Sequence, residues 1–526
     1  LSWGMGTDMD QDFRRSMGWL HTWAGVVLGC FLFAIFWMGT LSVFDSEIDQ
    51  WMKPATRIAP AQQTLPLETF RPFMEEAAAH KAAFWNVSFP NDRQSVAEVR
   101  YRIGRKSISH DIDPHTGQVL PEAGTLGASG FIFPFHYTLE LRFMGLGEWL
   151  VGLSSMAMLA LCVTGVIIHR KIFADFFTFR PDKKARRVLL DVHNISGVLG
   201  LPFCLVITFS GLAILGVTYF PSGVNALYDN PRSYFNEVNS LGFLAGKPGK
   251  PDNTKPALNE MEATARQLWG GTQPGLVLVA RPGAANARVA FFRESEQQVV
   301  MDRAIVAFDA VTGKIVSQSS TVRPIIRVQH FLSGLHFVHF HHWLLRWLYF
   351  VLGLGGCTLI ATGFLFWLDS RRKKQGATFG FRLVEGLSAG AVTGIILATL
   401  AFFVANRLLP PGARCWGLDR SSLEVWSFYA VWLAAFVHGW VWPRKVWAVQ
   451  SAAISLLAVL AVVLNWVTTG DHPARTLLHR WLWPVGGMDM VLLLGAGLAL
   501  LAAVRLSRQA RQQSGAALPV SVRKAA

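Results

Sequence analysis

Twice in this chain a histidine stands at the mouth of an uncharged run long enough to cross a lipid bilayer. Leu20–Gly39 reads L-H-T-W-A-G-V-V-L-G-C-F-L-F-A-I-F-W-M-G, and Asp191–Gly211 reads D-V-H-N-I-S-G-V-L-G-L-P-F-C-L-V-I-T-F-S-G. His21, Gly25 and Gly39 recur as His193, Gly197 and Gly211, always 172 positions on. About 20 apolar residues are what a helix needs to span the hydrocarbon core. A chain built this way folds as a polytopic α-helical membrane protein with an internal repeat.

Four clear spans are expected at Thr22–Phe44, Trp149–Ile168, Ile195–Phe220 and Trp347–Leu368. Four more follow at Gly386–Ala405, Val425–Trp442, Val446–Trp466 and Val485–Val504, the last two interrupted by Asn465 and Asp489. The net charge of +15 is distributed as topology rather than as a nucleic-acid footprint. Arg14–Arg15, the run Arg170–Arg187, Arg371–Lys374, Arg444–Lys445 and Arg505–Arg511 fall on alternate connections. Placing them all inside closes eight spans with both termini cytoplasmic, as the positive-inside rule asks. The first run is too long for a cleaved export signal and lacks a small-residue cleavage site, so it reads as a retained helix.

None of the five cysteines forms a C-x-x-C pair. Neither an iron–sulfur cluster nor a disulfide framework is indicated, and they read as small apolar packers.

Between spans one and two, and again between three and four, lie outer segments of strand-like alternation. The first holds strands at Trp85–Phe89 and Ala97–Ile103, then a turn at Asp113-P-H-T-Gly117. The second holds Leu276–Ala280, Ala287–Phe292 and Arg303–Val316, with the echoing turn Asp309-A-V-T-Gly313. The returning spans also match, T-G-V-I-I at Thr164–Ile168 against T-G-F-L-F at Thr362–Phe366. Each is preceded on its outer side by a histidine, His136 in F-P-F-H and His336 in S-G-L-H.

Topology therefore sorts four histidines into two depths: His21 and His193 inside, His136 and His336 outside. Polar side chains at membrane depth are costly and usually functional. Two opposed neutral imidazoles suit a six-coordinate b-type haem, and facing helices suit its flat macrocycle. Two pairs imply two haems in series across about 30 Å of hydrocarbon, with the four histidines as iron ligands. The competing reading is a set of interfacial hydrogen-bonding histidines.

His169 competes with His21 as partner of His193. His330, His339, His341 and His342 crowd His336, so His339 is an alternative ligand and a transition-metal site is an alternative use of the cluster. Arg142 and Arg346 lie where they could pair with haem propionates or simply snorkel. His438 reads as structural, and His80, His110, His115, His472 and His479 as solvated in outer loops. Gly25, Gly29, Gly39, Gly197, Gly200 and Gly211 clear space for a cofactor or a neighbouring helix. Pro202 is a candidate kink. Trp19, Trp23, Trp343 and Trp347 fit an interfacial aromatic belt.

These motifs resemble the PepSY-associated transmembrane family of bacterial inner-membrane proteins. They are the L-H-x-W-x-G first helix, the D-P-x-T-G-x-V-L outer strand pair, the H-N-x-x-G-V-L-G-L-P third helix and the L-H-F entry with L-R-W-L-Y-F-V-L-G-L. The likeness runs from about Arg14 to Arg372 and leaves the last four spans outside.

The resemblance implies two small periplasmic PepSY-like α+β modules set between helices 1 and 2 and between helices 3 and 4. It also implies two b haems on His21, His193, His136 and His336, and reduction of a ferric siderophore outside. The corresponding layout is helix 1 at 14–44, a first module at 45–130, and helix 2 with its outer entry at 131–169. A basic loop at 170–190 leads to helix 3 at 191–220, a second module at 221–327 and helix 4 with its entry at 328–370. A second basic loop at 371–385, a four-helix extension at 386–504 and a cytoplasmic tail at 505–526 complete it.

No G-x-G-x-x-G nucleotide fingerprint is present, so the electron donor is expected to be a separate cytoplasmic partner or a membrane quinol. Lipid and a ferric siderophore are the other expected partners, and nothing points to an oligomeric state. The alternative function is a haem-free PepSY sensor, assembly factor or protease-regulating membrane protein.

Overall fold

Long apolar runs become long helices because hydrocarbon offers the backbone no other partner. In the computed structural model, residues 2–516 are described apart from 62–64, 105, 170–178, 181, 183–184, 240, 245, 253, 295–297, 302–303, 319–323 and 341. Most of the first basic loop and residues 517–526 of the tail therefore lie outside the described residues. The chain clusters into two compact units: Leu1–Met52 with Gly124–Phe209 and Trp347–Ala526, and Lys53–Ala123 with Ser210–Arg346.

The first unit is helical. α1 spans Ser2–Ser42 and is followed by the short α2, Asp45–Met52. α3 covers residues 128–138, a π-helical turn Ala128–Ile132 running into an α-helix Phe133–Thr138. α4 is Leu146–Ile168, and α5, Ala185–Ile214, runs through Pro202 without a break. α6, Pro324–Phe337, belongs to the second unit, and α7, Trp343–Gln375, returns to the first. α8 spans Phe379–Leu408 with a π-helical turn at Gly390–Gly394. α9 is Arg420–Val441, α10 Val446–Thr469 and α11 Trp483–Ala516.

Among the described residues seven helices are long and apolar enough to cross a membrane. α9 forms as a 22-residue helix over the expected sixth span but is not among the seven. Its Glu424, His438 and tryptophans dilute its apolarity. The expected third span ended at Phe220, whereas α5 stops at Ile214 and a separate short helix covers Gly216–Tyr219.

Apolar clusters hold this unit. Leu32 of α1, Met158 and Cys162 of α4 and Cys204 of α5 meet in one cluster, with Leu359 of α7 against it. Two of the cysteines are thus packers, as expected. A larger core joins Phe33 and Met38 of α1, Trp51 of α2 and Phe131 and Phe135 of α3 to Phe402, Phe428, Ala458 and Leu492 of the last four helices. The C-terminal extension is therefore packed on α1–α3. Trp37 Nε1 also donates to Thr399 Oγ1 across this seam, at 3.0 Å.

Polar residues inside the extension find one another. Asn465 Nδ2 donates to Asp489 Oδ2 at 3.2 Å, and Asn406 Nδ2 to Glu424 Oε1 at 3.0 Å. A lone buried carboxylate would cost several kcal/mol, so these partners decide whether such residues can sit in a span at all.

The second unit corrects the expectation of two separate modules. β1 (Phe84–Ser88), β2 (Ala97–Ile103) and β3 (Lys106–Ile112) come from the first outer segment. β4 (Pro274–Ala280), β5 (Arg288–Arg293), β6 (Ile305–Asp309) and β7 (Ile315–Gln318) come from the second. All seven make one antiparallel sheet in the order β3-β2-β1-β4-β5-β6-β7. The join is β1 on β4, with Trp85 opposite Val279 and Val87 opposite Val277.

Alternation buries Trp85, Val87, Val99, Tyr101, Val277, Val279, Val289 and Phe291 on one face. The helices Arg71–Ala79 and Leu258–Leu268 cover it with Met74, Ala77, Leu258 and Met261. The two echoing turns close identically. Gly117 and Gly313, at φ 72° and 69°, donate to Asp113 O and Asp309 O at 2.9 and 3.0 Å. A left-handed residue is needed there, and glycine takes it without strain.

Candidate functional site

His21 and His193 are brought together within the first unit. Their ring centroids lie 6.4 Å apart with the ring planes at 88°. Each ring is tied through Nδ1 to the returning helix of its own repeat. His21 Nδ1 lies 3.0 Å from Thr164 Oγ1 on α4, with Leu161 O as a backbone acceptor. His193 Nδ1 lies 3.0 Å from Leu359 O and 3.3 Å from Thr362 Oγ1 on α7. Thr164 Oγ1 in turn donates to Ala160 O, and Thr362 Oγ1 to Thr358 O. The carbonyl acceptor fixes the tautomer with hydrogen on Nδ1, which leaves Nε2 with its lone pair.

Space is cleared beside each ring by glycine. A Cβ added at Gly165 would lie 3.4 Å from His21 Cε1, and one at Gly363 would lie 3.4 Å from His193 Cε1. His136 and His336 repeat the device more tightly. A Cβ at Gly39 would sit 2.6 Å from His136 Cε1, and one at Gly211 would sit 2.8 Å from His336 Cε1. His136 Nδ1 donates to Ile35 O at 2.8 Å, and His336 Nδ1 meets Ser210 Oγ at 3.1 Å. His136 belongs to the first unit and His336 to the second, each held within its own.

A metal midway between two imidazoles, about 2 Å from each ligating nitrogen with roughly 1.2 Å more to each ring centre, sets the centroids ~6.4 Å apart. The inner pair has that separation, two Nδ1-tethered rings and a glycine-cleared flank. The donor set therefore fits a bis-imidazole haem iron.

The alternatives sort as follows. His169 is held by Asn194, whose Nδ2 lies 2.8 Å from His169 Nε2, so the ring beside His193 is that of His21. His330 Nε2 is 2.9 Å from Val238 O, and His339 stacks on Phe337 at 5.7 Å. His342 is exposed and His341 lies outside the described residues. Among the described residues no three His, Cys, Asp or Glu side chains converge as a metal site.

Arg142 is largely exposed and ion-paired to Glu140 at 3.0 Å. Arg346 is fully buried, with its guanidinium 5.0 Å from the Trp343 ring. Gly25 and Gly197 face Leu161 and Leu359, while Gly29 faces Phe364, so these serve helix packing. Trp19, Trp23, Trp343 and Trp347 are exposed, in keeping with an interfacial belt. His110, expected in a loop, lies on β3 beside Phe73 and Tyr101.

Residues 18–370 match the model of the PepSY-associated TM region. The chain belongs to that family. It is also 29% identical over 416 residues to the uncharacterised protein PA4219 of Pseudomonas aeruginosa, covering 74% of this chain and 96% of that one. The family region contains all four histidines and their glycine and threonine contacts, and ends before α8. Thr164, Thr362, Ser210 and Asn194 are site residues that the sequence reading missed as histidine partners. The repeated T-G dipeptide at Thr164–Gly165 and Thr362–Gly363 was the signal for the two threonines.

Proposed function

We propose that this protein carries electrons through the bacterial inner membrane to a periplasmic ferric siderophore, from a separate cytoplasmic or quinol donor. Its eight helices, α9 included, would have both termini in the cytoplasm. His21 and His193 would hold one b-type haem, and His136 and His336 a second. When bound, each haem would supply one-electron redox chemistry.

The observation that carries this reading is the 6.4 Å separation of two Nδ1-tethered rings. The tethers do the work of a second shell. A backbone carbonyl and a threonine hydroxyl on Nδ1 hold ring orientation, favour Nε2 as the ligating atom and raise its basicity. The apolar cluster of Leu32, Met158, Cys162 and Cys204 keeps water from the interior between α1, α4 and α5. No general base or nucleophile is required at the outer face. Reduction of Fe(III) to Fe(II) weakens its hard oxygen ligands, and the metal is released.

The test is an absorption spectrum and haem-to-protein ratio for the purified protein. A b-type Soret and α band with two haems per chain is expected, falling to about one in His193→Ala. Protein expressed with ample haem that shows no such bands sinks the reading and leaves the haem-free PepSY sensor or protease-regulating role.

A further inference from the structure

We propose that Asp49 and the C-terminal four helices form a brace that positions His136 for ligation. This rests on the haem reading above. The helix carrying His136, α3, is only 11 residues long, below the roughly 12–15 residues at which an isolated helix becomes even marginally stable. Its order must come from what surrounds it.

Asp49, on α2, meets the start of that helix. Its Oδ1 accepts from Ala128 N at 2.6 Å and Ser129 N at 3.2 Å, and its Oδ2 accepts from Ser129 Oγ at 2.6 Å. These N–H groups have no acceptor within the helix, and a carboxylate there also meets the positive end of the helix dipole. Gly127, at φ 67°, makes the turn into α3, and its missing side chain leaves room for the Asp49 carboxylate.

α2 is itself gripped by the extension. Trp51 Nε1 donates to Asp489 Oδ1 on α11 at 2.8 Å. Arg407 of α8 donates to Met52 O at 2.6 Å and lies 5.1 Å from the Trp51 ring. Thr125, just ahead of α3, donates to Glu424 of α9. The apolar side of α3 closes the clamp, with Phe131 5.0 Å from Phe402 and 5.2 Å from Phe428. Phe135 lies 5.7 Å from Phe428 and 5.9 Å from Trp432.

Two turns beyond Asp49's contacts, His136 leans on Gly39 with Nδ1 on Ile35 O. Asp49 is thus a positioning residue, acting on the histidine through the helix it caps. It also gives the extension a task in the first half of the chain.

Asp49→Ala and Asp49→Asn in the full-length protein decide the matter, the second keeping an acceptor oxygen. Two readouts are needed: hydrogen exchange over residues 124–138, and the low-spin haem spectrum with haem stoichiometry. In Asp49→Ala the amides of Ala128 and Ser129 are expected to exchange about five- to tenfold faster, the worth of one cap. One haem of the two is expected to be lost or to turn high-spin, while Asp49→Asn stays near wild type. Unchanged exchange and spectrum in Asp49→Ala, or equal loss of both haems, overturns the proposal. Wild-type protein without haem sinks the haem reading instead, and the exchange result then judges the brace by itself.

Discussion

The two helices that carry His136 and His336 do the same thing with different support. α3 is capped by Asp49 and wedged among Phe402, Phe428 and Trp432 of the extension. α6 is held by the second unit. Gly334 lies so close to the backbone of Val299 that no side chain fits between, and Met301 N donates to His330 O at 3.2 Å. Gln329 Nε2 reaches Ala213 O at 3.4 Å, and His330 reaches Val238 O. Yet each histidine ends against a glycine of the preceding long helix, Gly39 or Gly211. The contact at the ring is repeated, and the scaffold behind it is not. Sequence symmetry constrains the histidine and its immediate clearance, while burial needs of the rest are met by whatever is nearest.

The comparison is most easily broken at Phe402, which is almost fully buried. Phe402→Ala is expected to cost about 3–5 kcal/mol in thermal or denaturant unfolding and to speed hydrogen exchange in α3 while sparing α6. Equal loosening of both helices contradicts the asymmetric support. Gly39→Val and Gly211→Val test what is shared. Each forces a side chain into a histidine ring, at about 1–3 kcal/mol, so their Tm losses are expected to match; a one-sided effect denies the common clearance.

Next in size is Trp51→Phe, which keeps an aromatic ring but removes the pyrrole part of the indole and with it the donor to Asp489. A loss of about 1–3 kcal/mol is expected, with faster exchange at Ala128 and none at Pro324–Phe337. Thr164→Val and Thr362→Val are the inner-pair controls. Each leaves a carbonyl on Nδ1, so about 0.5–1.5 kcal/mol is expected from both, with the two variants alike.

The smallest effect concerns the second unit. Burial pushes the Asp309 carboxyl up, but bonds from Thr312 and Val311 and the Arg288 charge outweigh it and hold the group below its ordinary value. A depressed carboxylate stabilises the fold fully above its unfolded value near ~4, and that contribution fades as pH falls through the lower folded value. Urea midpoints from pH 7 to 3 are expected to fall at the acid end, and less so in Asp309→Asn. Parallel curves for the two proteins would remove Asp309 from the account.

What could be read in the chain was whatever repeats. The 172-residue offset exposed His21 and His193, and the D-x-x-T-G turns exposed equivalent strand ends. The repeat put His21 ahead of His169 as the neighbour of His193 but left His169 open; the contact of His169 with Asn194, and of the His21 ring with His193, was not legible. Asp49 was invisible for a different reason. It acts on a helix start 79 residues away, and an acidic residue early in a short helix has no distinguishing context. The single sheet was hidden likewise, since nothing local tells β1 that its partner is β4. Apolar length alone gave eight spans, of which seven meet that measure among the described residues, and the pair Asn465–Asp489 shows that polar residues enter spans together.

That β1–β4 join sets a schedule for making the protein. β1 is central in the finished sheet, yet its partner strand is encoded about 190 residues later, beyond two membrane helices. At ribosomal speeds of roughly 5–20 residues per second, its Trp85–Val87 edge waits on the order of 10–40 s for Val277–Val279. An apolar strand edge left open that long is an aggregation hazard. Completion of the sheet thus reports that both strand-bearing segments, and the two long helices between them, have been delivered.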